Sequence, residues 1–328
     1  MDEQPRLWFE KFYLGNGIPK IVWAVVAFLP FVLIYTVAIY LAGLSQDFYS
    51  IVLAPLPFYL VVNLYIQYAS RFAVARIEGL AKEWGLVEKH SIALEPLFGL
   101  KGPTVASLVV YAVMFPLFIS NNAVVFTPVQ IVLATILPWL YYAYFFGTFF
   151  WVLGYSAYTI NKMGNLPLEL RHFTEDRTLG LKDFGSVSLR FAGLYVVFVA
   201  LFSVPNTFNG FVSLGFLLLY IGLFLLAVPL FLLPLFSLHR RLVSEKRLIV
   251  GRFAPPYRQL VQSLEVNGMA GADGKLTDQL TATRQLLQEA GQIHSWPFDT
   301  GIIVRLSAIV LSVVAILLSR VLAIFLHV

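Results

Sequence analysis

The chain contains no cysteine. That removes disulfides, thiolate metal sites and cysteine nucleophiles, and it leaves the redox compartment open. Charge is scarce as well. Only 12% of the 328 residues are Asp, Glu, Lys or Arg, where a soluble domain carries about 25%. Half the usual charge leaves too little polar surface to wet a globule. The long apolar blocks hold no acid at all, although the chain has 18. Ion-coupled transporters and proton pumps load their ion on an ionisable group at membrane depth. Those classes are therefore disfavoured, and an intramembrane aspartyl protease is excluded on the same ground. His90, His172, His239, His294 and His327 stand far apart, with no metal-ligand spacing. There is no Gly-x-Ser-x-Gly elbow and no Walker loop. No catalytic, metal or cofactor-binding residue is assigned, and no cofactor is expected. An enzyme site within the membrane is disfavoured; one assembled from charged loops stays open.

What the chain has instead is 59% hydrophobic residues, gathered in blocks that meet or approach the roughly 20 residues needed to cross a bilayer. Seven blocks are read as spans, at about 21–44, 49–70, 103–122, 128–154, 187–204, 210–238 and 300–325. Backbone polar groups inside lipid must bond within their own segment, so the spans are helices and the fold class is all-α. A β-barrel would need alternating strands of about ten residues, and these blocks are solidly apolar. The chain is read as one helical membrane domain with charged helical extensions, of which 239–299 is the longest. In that extension Leu276, Leu280, Thr283, Leu287 and Ala290 form the apolar seam of a helix. The seam is open to a partner helix of the same chain or of another copy.

Orientation follows from where the cations sit, because Lys and Arg near span ends mark the cytosolic side. Arg6, Lys11 and Lys20 precede the first span. Arg71, Arg76, Lys82, Lys89 and Lys101 follow the second, and Lys162, Arg171, Arg177, Lys182 and Arg190 follow the fourth. A further set, from Arg240 to Arg305, follows the sixth. The turns after spans 1, 3 and 5 hold none, and only Arg320 lies toward the other side. The N-terminus is placed in the cytosol and the C-terminus outside. The net charge of +5 records topology, and no nucleic-acid partner is expected, since acids interleave with the basic residues. The expected partners are membrane lipid and further copies of the chain, and the expected location is the cell membrane, multi-pass. The charged start and the long first span argue against a cleavable signal.

The last span has the most informative pattern. Gly301, Arg305, Ala308, Ser312, Ala315, Ser319 and Ala323 recur at spacings of three and four, which lays small or polar residues along one helix face. Small residues let helices approach closely. The same face could line a narrow pathway in which Ser312 and Ser319 offer hydroxyls. Packing and lining coexist if the span packs around a symmetry axis. Arg320 either snorkels to the outer headgroups or places a charge at the pathway mouth. Trp296, Pro297 and Asp299 form a membrane-entry motif. Tryptophan suits the interface, proline ends the preceding helix, and Asp299 or Thr300 caps the next. The alternative is a hinge that passes motion to the last span. Pro30, Pro55, Pro57, Pro116, Pro138, Pro229 and Pro234 lie within spans and favour kinks. A cavity opened among spans 2, 4 and 6 would be faced by Asn63, Gln67 and Gln130. His172, Glu175 and Asp176 are the candidates for a cytosolic enzyme site, against the plainer reading of a loop cap and solvated charges.

Two stretches are similar to motifs of a widespread family of prokaryotic multi-pass membrane proteins of uncharacterised activity. One runs Arg171-His172-Phe173-Thr174-Glu175-Asp176-Arg177 and on through Leu179-Gly180-Leu181 to Gly185, resembling a His-Pro-Asp…Gly-Leu pattern without its proline. The other is Trp296-Pro297-Phe298-Asp299 before the last span. This resemblance implies no activity. The layout also resembles the seven-transmembrane ion channels that include insect odorant and gustatory receptors. It shares their inside N-terminus, outside C-terminus and helical extensions after spans 2, 4 and 6. That resemblance implies a tetramer whose last span lines the pore, although the Tyr-containing motif of those receptors is absent from 300–328. The leading expectation is a channel-like or sensory protein that oligomerises around the last span. The rivals are a non-transporting sensor or scaffold signalling through its cytosolic helices, and a transporter of a small solute.

Overall fold

The apolar blocks fold as helices wherever the structure describes them, and no strand occurs among the described residues. The structure is a computed structural model. It describes residues 6–12, 19–41, 43, 56–86, 92–122, 127–131, 136–208, 214–267 and 274–298. In the last span it describes 301, 304, 307, 308, 311, 312, 314 and 315. The principal helices are α1 (Lys20–Val26), α2 (Leu29–Leu41), α3 (Leu56–Glu83), α4 (Lys101–Asn122), α5 (Leu137–Gly164), α6 (Lys182–Phe208), α7 (Leu214–Leu232), α8 (Phe236–Asn267) and α9 (Gly274–Gly291). Among the described residues three stretches are long and apolar enough to cross a membrane: Ile21–Leu41, Lys182–Ser203 and Leu218–Glu265.

The helices outrun the apolar blocks, and the residues show why. α3 continues past Ser70 to Glu83 because Val74, Ile77, Leu80 and Ala81 keep a buried stripe beyond the apolar block. α6 carries through Pro205 as far as Phe208, past the end of the apolar block at 204. α7 runs through the 3-10 turn Leu233–Leu235, which contains Pro234, straight into α8. The first block is interrupted at Ala27 and Phe28. α1 stops at Val26, four residues before Pro30, whose ring would strike the carbonyl there. The Phe31 N–H bonds the Phe28 carbonyl instead, and the Ala27 carbonyl accepts a bond of 2.8 Å from the Tyr141 hydroxyl.

The core centres on α5, which lies against α2, α3, α4 and α8. Its Tyr142, Phe145, Phe149, Val152, Ile160 and Met163 are buried. Tyr142 sits among Phe31, Tyr59 and Trp139, with ring centroids 4.9, 5.7 and 5.5 Å away. Its hydroxyl donates to the Tyr59 carbonyl at 2.9 Å, so a polar atom in an apolar layer is satisfied. α4 packs tightly on α5 at Gly147, where any Cβ would overlap the Ser107 backbone and hydroxyl. Residues 6–12 also enter the bundle, which their charge does not announce. Leu7 and Phe9 are buried, Trp8 Nε1 donates to Thr148 Oγ1 at 2.7 Å, and Glu10 pairs with Arg71 at 2.9 Å. α9 lies along α8 of the same chain, and the seam residues Leu276, Leu280, Thr283, Leu287 and Ala290 are among its less exposed positions.

Candidate functional site

Lys82, Glu83, Glu169, Arg171 and Asp183 gather at the end of the bundle where α3 finishes and α6 begins. Residues 165–181 cross this end as a loop. The Asp176 carboxylate organises the loop by accepting from Thr178 N and Thr178 Oγ1 at 2.8 Å and from Gly180 N at 2.9 Å. Partial burial pushes its pKa up, but the bonds from Thr178 and Gly180, with the charge of Arg171, outweigh that and hold it below the usual carboxylate range. Leu179 adopts a left-handed φ of 54°, a conformation costly for a branched residue. Its side chain is 2% exposed, so burial offsets the strain. His172 Nδ1 lies 2.8 Å from Thr174 Oγ1. Asp176 is thus spent on the loop, and His172 is engaged with a neighbour two residues away.

The two stretches with family-like motifs meet here. The His294 N–H donates to the Arg177 carbonyl at 2.9 Å. Gly185, in the first turn of α6, lies against the Pro297 carbonyl so closely that any Cβ would overlap it. Pro297 and Phe298 are buried. Trp296 stacks between His239 and Phe298, with centroids 4.1 and 5.4 Å away. It is a half-buried ring of this junction.

Three basic residues at the start of α8 hold the junction together through backbone carbonyls. His239 Nδ1 lies 2.6 Å from the Ser295 carbonyl. Arg241 donates to the carbonyls of Leu166 and Leu168. Lys246 Nζ donates to those of Gly291 and Ile293, at 2.6 and 2.8 Å. A cation at a helix C-terminus satisfies free carbonyls and opposes the negative end of the helix dipole. Beside the junction lies an open cavity of about 400 Å³. Lys82, Glu83, Trp84, Glu169, Arg171 and Asp183 line it, which gives both signs of charge and an indole wall.

The residues singled out in the sequence fall in three groups. Trp296 and Pro297 come together with the 171–185 stretch. Gly301, Ala308, Ser312 and Ala315 lie on the last helix, all exposed in a single chain. Asp299, Arg305, Ser319 and Arg320 lie outside the described residues. Of the polar residues expected in a cavity, Asn63 is 0% exposed and both its amide atoms lack a hydrogen-bond partner among the described residues. Gln67 is buried and donates to the Ala24 carbonyl at 3.1 Å. The cavity it lines, about 390 Å³, lies between α1 and α3 rather than among α3, α5 and α7. The Gln130 side chain is outside the described residues. Sequence reasoning missed the roles of His239, Arg241 and Lys246, whose carbonyl partners are 45 to 75 residues away. Their basic character was the only available signal, and topology already accounts for it. Among the described residues no three His, Asp or Glu side chains cluster as metal ligands.

No protein-family model, curated protein or solved structure matches the chain. The junction offers charges of both signs, aromatic walls and satisfied carbonyls.

Proposed function

We propose that the chain is a seven-span protein of the cell membrane, with its N-terminus in the cytosol and its C-terminus outside. In this reading it oligomerises around its last span and acts as a channel or sensory receptor. The observation that carries it is the uncovered small-residue face of the last helix. Gly301, Ala308, Ser312 and Ala315 are exposed in a single chain, and nothing lies within 4 Å of a Cβ built on Gly301. Val314 leans on the core from another side, roughly 120° round the helix at 100° per residue. Lipid covers exposed Val304 and Leu311 well. A face of glycine, alanine and serine is better covered by another helix, because backbones approach closely there. Ser312 donates to the Ala308 carbonyl at 2.7 Å, which leaves its oxygen free to accept. The layout shared with the seven-transmembrane channels adds an analogy in the same direction.

The second reading, a sensor without transport, is favoured by the junction. α7 continues into α8, and α8 grips the segment that leads into the last helix. Mass measurement of the purified protein in lipid should find several copies together. Planar bilayers should conduct, and Ser312→Leu should reduce that conductance. A monomer in lipid would overturn the oligomer reading. An oligomer that never conducts would favour the sensor.

A further inference from the structure

We infer that the cleft between the C-terminal half of α3 and the first turns of α6 binds the headgroup of a zwitterionic phospholipid with a primary ammonium, such as phosphatidylethanolamine. The proposal deepens the membrane reading and rests on α6 entering the lipid near Arg190.

The cleft has a volume of about 250 Å³ and is lined by Arg76, Gly79 and Glu83 of α3 and by Asp183, Ser186 and Arg190 of α6. The two helices run in opposite senses along it. Tyr65 of α3 donates to the Leu194 carbonyl of α6 at 2.6 Å on one side, and Glu83 and Asp183 line the cleft on the other. Arg76 and Arg190 therefore share one tier, and Glu83 and Asp183 share another. The tiers are seven residues apart on each helix, about 10 Å of helical rise. The long side chains shorten that gap from both ends. Among the described residues none of the four is in an ion pair, so the charges of opposite sign do not neutralise each other directly.

Beyond the arginine tier the walls turn apolar. On the α3 side Phe72, one turn before Arg76, continues the face, and the Arg76 guanidinium lies 5.0 Å over its ring. On the α6 side Val197, two turns beyond Arg190, is 46% exposed. The order along the cleft is thus exposed apolar wall, two cations, two carboxylates, then the charged junction. A phospholipid carries the complementary order of acyl chains, phosphate and ammonium. Arginine takes phosphate through several parallel donors. The carboxylates accept from a primary ammonium, and they repel a headgroup that ends in a neutral or anionic group on an anionic phosphate.

The test offers the full-length protein, purified in detergent micelles, equal amounts of phosphatidylethanolamine and phosphatidylglycerol. Retained lipid is counted by native mass spectrometry. The wild type should keep phosphatidylethanolamine over phosphatidylglycerol by roughly two- to fivefold, the size of an exposed ion pair. Glu83→Gln with Asp183→Asn should erase that preference, and Arg76→Gln with Arg190→Gln should lower retention of both lipids. Equal or greater retention of phosphatidylglycerol by the wild type would overturn the proposal, without relying on any variant. So would a preference untouched by removal of the two carboxylates. Free phosphoethanolamine should not displace the lipid at equal concentration; displacement would overturn the choice of a lipid over a soluble headgroup. Extraction of the protein from vesicles by alkaline carbonate would sink the membrane reading itself. Resistance to extraction with no lipid preference sinks this proposal alone.

Discussion

Single residues decide the closest approaches in this molecule, and two glycines of α6 separate the cases. At Gly185 the neighbour is the Pro297 carbonyl, part of a backbone that cannot swing aside. At Gly193, eight residues on, a Cβ meets open space. Gly185→Ala should therefore destabilise by about 1–3 kcal/mol through overpacking. Gly193→Ala should be neutral or stabilise by up to about 1 kcal/mol, since alanine suits a helix better. Thermal unfolding of the two variants checks this, and equal midpoints would show that the 185–297 contact carries no weight. Of the pair that meets there, Pro297 was legible in the sequence as a helix stop before the last span. Its partner was not. A glycine 112 positions earlier carries no mark of the carbonyl it touches, because distant contacts leave no local periodicity.

Elements show the same division between what local pattern reveals and what it hides. The apolar stripe beyond Ser70 was visible, and α3 follows it to Glu83. The helical seam of α9 was visible too, and α8 of the same chain lies beside it. The entry of residues 6–12 into the bundle was hidden, since the segment is short and charged, and its anchor Trp8 finds Thr148 only in the folded chain. The α8–α9 hairpin supplies the prediction at this scale. Lys246 ties the C-terminal end of α9 through two carbonyls. Lys246→Met keeps the aliphatic stem and loses both bonds, at a cost of about 1–3 kcal/mol. Hydrogen exchange in α9 should quicken by that margin, while α3 and α5 exchange as before. Unchanged protection in α9 would mean that its seam alone holds it in place.

Across the whole molecule the proposed threading has a direct check, helped by a chain with no cysteine of its own. Single cysteines at Ser45, Asn209, Gln262 and Val328 report on sides of the membrane. A membrane-impermeant maleimide applied to intact cells should label the first, second and fourth. It should reach the third only after permeabilisation. Labelling of Val328 together with Gln262 would place both flanks of the last span on one side and undo the seven-span proposal. The all-helical class was legible from composition and backbone chemistry, because apolar blocks this long leave peptide groups no partner but their own helix. The junction was not, since it is assembled from three separated stretches of chain, 166–185, 239–246 and 291–298.

One of its parts has a mechanical consequence. From Phe236 to the proline pair at Pro255 and Pro256, α8 is an uninterrupted rod, about 28 Å long by helical rise. Its base joins α7 through the tighter Leu233–Leu235 turn and is pinned beside the segment that leads to Gly301. A swing of about 10° about the base would carry the Pro255 end roughly 5 Å, and the Lys246 bonds, about halfway along, roughly half as far. In the sensor reading, a push at the far end of the rod would reach the root of the last helix shortened and strengthened.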